Sequence, residues 1–200
     1  MKILSHILSF AALAFLLAGC EKKELAVPKH DPGSIITSTV EMDPTYKWQI
    51  YFNLKKNTIV GKNLKTTWDL GFEATAAGYH IILNSAKSMY ALNTGKTDIA
   101  LVSYADTTGF YDNKRWDSPD GNPDSTAIGD WRGSNNVYII DRGYNELGQS
   151  LGLQKIQVAE VNDSVYTLLL VSLGSAGVTT IDVKKDSAYN FTFLSFDNSG

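Results

Sequence analysis

Apolar side chains recur at every second position along most of the chain. Trp48, Ile50, Phe52 and Leu54 alternate with Gln49, Tyr51 and Asn53, and Trp68, Leu70 and Phe72 alternate with Asp69, Gly71 and Glu73. The runs 79–83, 137–140, 156–161, 165–170, 179–183 and 189–196 share this pattern. A strand turns successive side chains to opposite faces. A period of two, rich in Val, Ile, Thr and aromatic residues, therefore predicts strands with one buried face. Polar turns punctuate the runs at Lys56-Asn57, Asn93-Thr94-Gly95-Lys96, Asn162-Asp163 and Gly174-Ser175-Ala176-Gly177. Strands joined by such short turns pair antiparallel, so the predicted fold class is all-β, an antiparallel sheet domain.

Helical signal is scarce. Residues 97–103 could form a short helix capped by Thr97 with Asp98 in its first turn, or equally a strand. Residues 104–136 are rich in Asp, Gly, Asn, Ser and Pro. So long a loop in a compact domain points to function or disorder. Residues 48–57 also echo residues 191–200, both being an aromatic-alternating strand that runs into a polar turn. A second strand follows the first copy, whereas the chain stops after the second. The expectation is a domain that is incomplete at Gly200.

The first residues carry a different pattern. Lys2 is followed by an apolar stretch, interrupted by Ser5, His6 and Ser9, that ends in Leu17-Ala18-Gly19-Cys20. A charged start, an apolar stretch and small residues before a cut describe a secretory signal, too short for a membrane span of ~20 apolar residues. Leu-Ala-Gly-Cys looks like a lipobox, in which the cysteine thiol accepts the lipid. The expected organisation is a signal peptide at 1–19, lipidated Cys20 with a flexible tether at 20–40, and a β-rich domain at 41–200. Charged Glu21-Lys22-Lys23-Glu24, Pro28, Pro32 and Gly33 give the tether its character. Charges directly after the lipidated cysteine resemble a surface-export signal of some outer-membrane lipoproteins. The expected location is the outer membrane, at the cell surface, held in the bilayer by acyl chains such as palmitate. Cys20 is the sole cysteine, so no internal disulfide can form and the core alone must hold the fold. Charge adds an exclusion. The chain has a net charge of -3 and no basic run, which argues against a nucleic-acid partner.

Several segments together resemble the HmuY-like haem-binding lipoproteins. They are Tyr51-Phe52-Asn53-Leu54, Thr67-Trp68-Asp69-Leu70-Gly71-Phe72, Ile81-Ile82-Leu83-Asn84-Ser85-Ala86-Lys87, Val137-Tyr138-Ile139-Ile140-Asp141-Arg142-Gly143 and Asp186-Ser187-Ala188-Tyr189-Asn190-Phe191-Thr192. The resemblance implies an all-β domain over 41–200 that captures haem at the cell surface for iron acquisition and passes it to an outer-membrane transporter. It also implies two axial iron ligands, His or Met. After the tether the chain offers His80, Met42 and Met89. His80 is the leading haem-ligand candidate; on a strand it shares a face with Ile82 and Asn84. Its competing reading is an ordinary hydrogen-bonded strand histidine. Met89 is the second candidate. If Asn84-Ser85 forms a two-residue hairpin loop, Met89 lies opposite His80 with Cβ atoms ~4.5–5.5 Å apart, too close to admit a porphyrin. The pair then needs a longer connection, and packing between strands is the competing reading for Met89.

Within 104–136, Tyr104, Tyr111, Trp116 and Trp131 could stack on a flat ring, and Tyr104 or Tyr111 could ligate ferric iron. Asp120, Asn122 and Asp124 supply alternating oxygens, as calcium loops do, but Trp131 stands where an EF-hand needs glutamate. A solvated turn is the competing reading. No zinc-protease motif or phosphate loop is present. Asp69 and Glu73 read as charged residues on the wet face of a strand. The expectation is a non-enzymatic surface lipoprotein that binds haem or a related tetrapyrrole. The alternative is a surface adhesion domain that binds protein or glycan, with calcium as its candidate stabilising ion.

Overall fold

The computed structural model describes residues 26–29, 33 and 35–198. Cys20, the apolar leader and His30 lie outside the described residues. Contacts divide the chain after Thr37, and every strand belongs to the unit beginning at Ser38.

Alternation translates into ten strands: β1 (Trp48–Asn53), β2 (Thr58–Leu64), β3 (Leu70–Glu73), β4 (Ile81–Leu83), β5 (Tyr90–Asn93), β6 (Val137–Asp141), β7 (Leu153–Val161), β8 (Val165–Ser172), β9 (Thr179–Lys184) and β10 (Phe191–Leu194). They form three antiparallel sheets, ordered β1-β2, β10-β3-β4 and β5-β6-β7-β8-β9. Short polar turns make the hairpins as expected at three sites, 56–57, 162–163 and 174–177. Asn53 Oδ1 accepts from Lys56 N at 2.9 Å before Asn57 takes φ 50°, and Asn162 Oδ1 accepts from Ser164 N and Val165 N at 2.9 and 3.0 Å. Asn and Asp supply such local acceptors and tolerate the left-handed region. The turn at 93–96 behaves differently: β5 leaves through it and pairs with β6 only after a long excursion.

The alternating faces build two cores. Leu70, Phe72, Ile81 and Leu83 from the three-stranded sheet cluster with Tyr138, Ile140, Ile156, Tyr166, Leu168 and Leu170 from the five-stranded sheet. The opposite face of the five-stranded sheet presents Val137, Ile139, Val171 and Leu173, which Ile99, Val102 and Phe110 cover. Burying each such side chain stabilises by ~1.5–3 kcal/mol. Residues 97–103 form neither the expected helix nor a strand but a 3-10 turn, Ile99–Leu101, capped by Asp98 rather than Thr97; Asp98 Oδ1 accepts from Ala100 N at 2.9 Å. Lys155 Nζ reaches Ile99 O and Val102 O, each at 3.0 Å, and Gln157 Nε2 reaches Thr97 O at 2.8 Å. Tertiary polar contacts thus hold a segment whose local preference is weak. The long segment 104–136 is built from 3-10 turns and one α-helical turn, Phe110–Asn113.

Asp69 corrects the wet-face reading. It is fully buried, where it meets Lys87 and Arg142. Lys87 Nζ donates to Asp69 Oδ1, Arg142 Nε donates to the same oxygen at 3.1 Å, and Phe196 N donates to Asp69 Oδ2 at 2.8 Å. Arg142 also donates to Asp197 at 2.7 Å. Burial pushes the Lys87 ammonium below its ordinary value, and the facing carboxylate opposes that shift. Gly143 packs directly on Lys87: a Cβ there would lie 1.8 Å from Lys87 O. Three of the segments that carry the family resemblance therefore converge on one buried charge cluster.

Candidate functional site

The outer face of the three-stranded sheet is unusually apolar. Gly71, Glu73, Ile82, Phe191 and Phe193 share that face by register. Gly71 lets its neighbours close over the strand, since a Cβ would stand 2.8 Å from Ile82 and 3.0 Å from Phe193. Trp68 packs against Phe193, with ring centroids 4.7 Å apart. Above this floor, the segment from Asp117 to Pro123 forms a facing wall. Between the two lies a half-open cavity of about 750 Å³, whose apolar lining includes Trp68, Ile82, Phe191, Pro119 and Pro123 and whose polar lining includes Gln49, Thr75, Asn84, Asn122 and Asn190. Small-molecule sites run from ~300 to 1,000 Å³.

Asp117 fastens that wall. Its two carboxylate oxygens accept from Leu83 N at 2.7 Å and from Ala127 N at 2.8 Å. Burial outweighs these bonds and raises its carboxyl above the ordinary range. A second hollow, of about 350 Å³ and bounded by Met89, Tyr90 and Trp116, shares Asp117 and Pro119 with the first.

His80 stands beside the cavity and is engaged on both sides. Its Nδ1 is 2.6 Å from Glu73 Oε2, and its Nε2 is 3.1 Å from Asp124 Oδ1. Glu73 also accepts from Thr75 Oγ1 and Tyr79 N. Burial alone would raise the Glu73 carboxyl, but these hydrogen bonds overcome it and hold the group below its usual value. The imidazole stacks on Tyr79 with centroids 4.1 Å apart, and the Arg132 guanidinium covers Tyr79 at 3.3 Å. Arg132 in turn holds Asp130 down to about 2.

Met89 is not brought to His80. The expected two-residue hairpin at Asn84-Ser85 is replaced by a 3-10 turn, Ser85–Lys87, with Ser88 at φ 59°. Asn84 Nδ2 donates to Lys65 O and Trp68 O, which ties the turn down. β4 therefore pairs with β3 while β5 pairs with β6, and Met89 lies buried in the core. Tyr104 and Tyr111 are exposed and away from the cavity lining. Tyr104 donates to Leu173 O at 3.1 Å, and Tyr111 meets Phe110 edge-on. Trp131 is buried and donates to Tyr79 O at 2.8 Å.

The proposed calcium oxygens serve the loop instead. Asp120 Oδ1 accepts from Asn122 N, Asn122 Oδ1 accepts from Asp124 N, and Asp124 binds His80. Among the described residues no group of three or more His, Cys, Asp or Glu side chains is arranged to hold a metal ion. Nor, among the described residues, is any helix long and apolar enough to cross a membrane. The sequence reading missed Trp68, Ile82 and Phe191 as a wall. Ile82 was the available signal, an apolar residue on the face of His80 and Asn84, whereas Trp68 and Phe191 belonged to apolar alternations expected to face the core.

The lowered carboxyls set the acid limb of stability. A carboxyl held low by the fold contributes stability above its unfolded value of ~4, and that contribution disappears as pH falls through the folded value. Glu73 and Asp130 both have this sign. Asp117, raised by burial, has the opposite sign and offsets part of the effect just above pH ~4. The urea midpoint should hold from neutral pH to about 5 and then fall through the window from ~4 to ~2, less steeply in Glu73→Gln. A midpoint that rises on acidification would contradict this reading.

The described residues form an all-β protein with a cavity beside its three-stranded sheet. Residues 45–195 match the family model described as HmuY protein, and the chain belongs to that family. No curated protein matches the chain, and no solved structure does.

Proposed function

We propose that the chain is an exported lipoprotein, anchored through Cys20 at the outer-membrane surface, that binds haem or a related tetrapyrrole for iron acquisition and hands it to an outer-membrane transporter. The observation that carries the ligand is the cavity walled by Trp68, Ile82, Phe191, Pro119 and Pro123 in a member of this family. Its size and apolar walls suit a flat macrocycle, and burying such a ring is favourable at roughly 25 cal/mol per Å².

The fit to haem is that of the ring rather than of the iron. Among the described residues no His, Met, Tyr or Cys lines the cavity, and the neighbouring His80 has both nitrogens on carboxylates. The residues present supply burial and stacking, and the activity expected is capture, not catalysis.

Titrating the purified domain with haemin should give a saturable Soret shift. Ile82→Arg, which puts a charge on the cavity floor while leaving the inward faces intact, should weaken binding by at least about tenfold. No saturable shift in either redox state would sink the reading. Labelled palmitate should enter the chain in cells and should fail to enter Cys20→Ser.

A further inference from the structure

Among the described residues the two charged ones in the cavity lining are Glu73 and Asp117, and no Lys or Arg lines it. Both carboxylates are already engaged with local donors, Glu73 with Thr75, Tyr79 and His80, and Asp117 with Leu83 and Ala127. The lining thus offers nothing to neutralise an acidic side chain pushed inside. It also offers no atom suited to an axial bond. His80, the nearest candidate, would have to give up Asp124 before its Nε2 could turn to a metal, and Met89 is buried in the core, where it borders the neighbouring hollow and not this cavity.

We infer, resting on the tetrapyrrole reading above, that this cavity recognises the apolar face of the macrocycle independently of the metal, with the ligand's carboxylates left at the open mouth. Free-base porphyrin is then as good a ligand as haem. The contacts that discriminate are van der Waals and stacking contacts with Trp68, Ile82 and Phe191, which a metal ion does not alter. An axially ligated site behaves otherwise, because the bond to iron is part of its affinity and the metal-free ring loses it.

The test is a parallel titration of the full soluble chain with haemin and with metal-free protoporphyrin, read by quenching of tryptophan fluorescence and by the porphyrin's own emission. The expected result is affinities within about tenfold of each other, with His80→Ala binding both ligands within the same margin. Ile82→Arg should weaken both together. Circular dichroism of each variant separates lost binding from lost folding. Haemin bound more than about tenfold tighter than protoporphyrin, or haemin binding lost in a folded His80→Ala, overturns the inference while leaving tetrapyrrole capture standing. Saturable binding of neither ligand removes the tetrapyrrole reading itself.

Discussion

Replacing Gly143 with alanine should strongly destabilise the domain. Gly143 has φ 68°, and an added Cβ would sit 1.8 Å from Lys87 O. The left-handed backbone alone costs ~1–3 kcal/mol for a residue with a Cβ. The overlap is with a backbone carbonyl, so no rotamer change relieves it, and overpacking adds ~1–3 kcal/mol. Relief would have to move that carbonyl, which already accepts from Tyr144 N at 2.9 Å. The sum, ~2–6 kcal/mol, is a large share of the ~5–15 kcal/mol that holds a typical domain folded. Gly152→Ala is the control: its φ is 84°, but nothing lies within 4 Å of the new atom. Denaturant unfolding followed by circular dichroism should show Gly152→Ala losing ~1–3 kcal/mol and Gly143→Ala clearly more. Equal losses would mean that contact with Lys87 does not matter.

Asp69→Ala is the second large effect. It strips the buried carboxylate from Lys87 and Arg142 and removes the oxygen that accepts from Phe196 N. Two cations stripped of a buried partner cost ~3–5 kcal/mol, mostly as unrelieved desolvation. Replacing Asp69 and Lys87 together by Leu and Met should recover part of that loss, because an apolar pair no longer has to be desolvated. A double variant less stable than Asp69→Ala would show that the cluster stabilises beyond its desolvation cost.

These two positions also mark what the sequence could reveal. Alternation gave the strands at Trp48, Leu70, Val137 and Val165, because one buried face imposes a period of two whatever the partner strand. It could not say that β4 and β5 part into different sheets, since that depends on Asn84 finding the carbonyls of Lys65 and Trp68 far along the chain. Asp69 looked like one more polar residue of an alternating strand; its burial depends on Lys87 and Arg142 arriving from elsewhere. The segments that carried the family resemblance supply both the buried charge cluster, through Asp69, Lys87 and Arg142, and part of the cavity wall, through Trp68, Ile82 and Phe191. His80 was legible as a residue of interest. Its two carboxylate partners were not, because Glu73 sits one strand away and Asp124 lies on the long loop.

The central claim is that a tetrapyrrole sits on the outer face of the three-stranded sheet. Methyl-labelled protein titrated with metal-free protoporphyrin tests it directly by nuclear magnetic resonance, because ring currents shift only methyl groups close to the macrocycle. The account expects saturable shifts at the Ile82 methyls and an unmoved signal at the Met89 methyl. Shifts at Met89 with Ile82 unmoved would place the ligand elsewhere and contradict it.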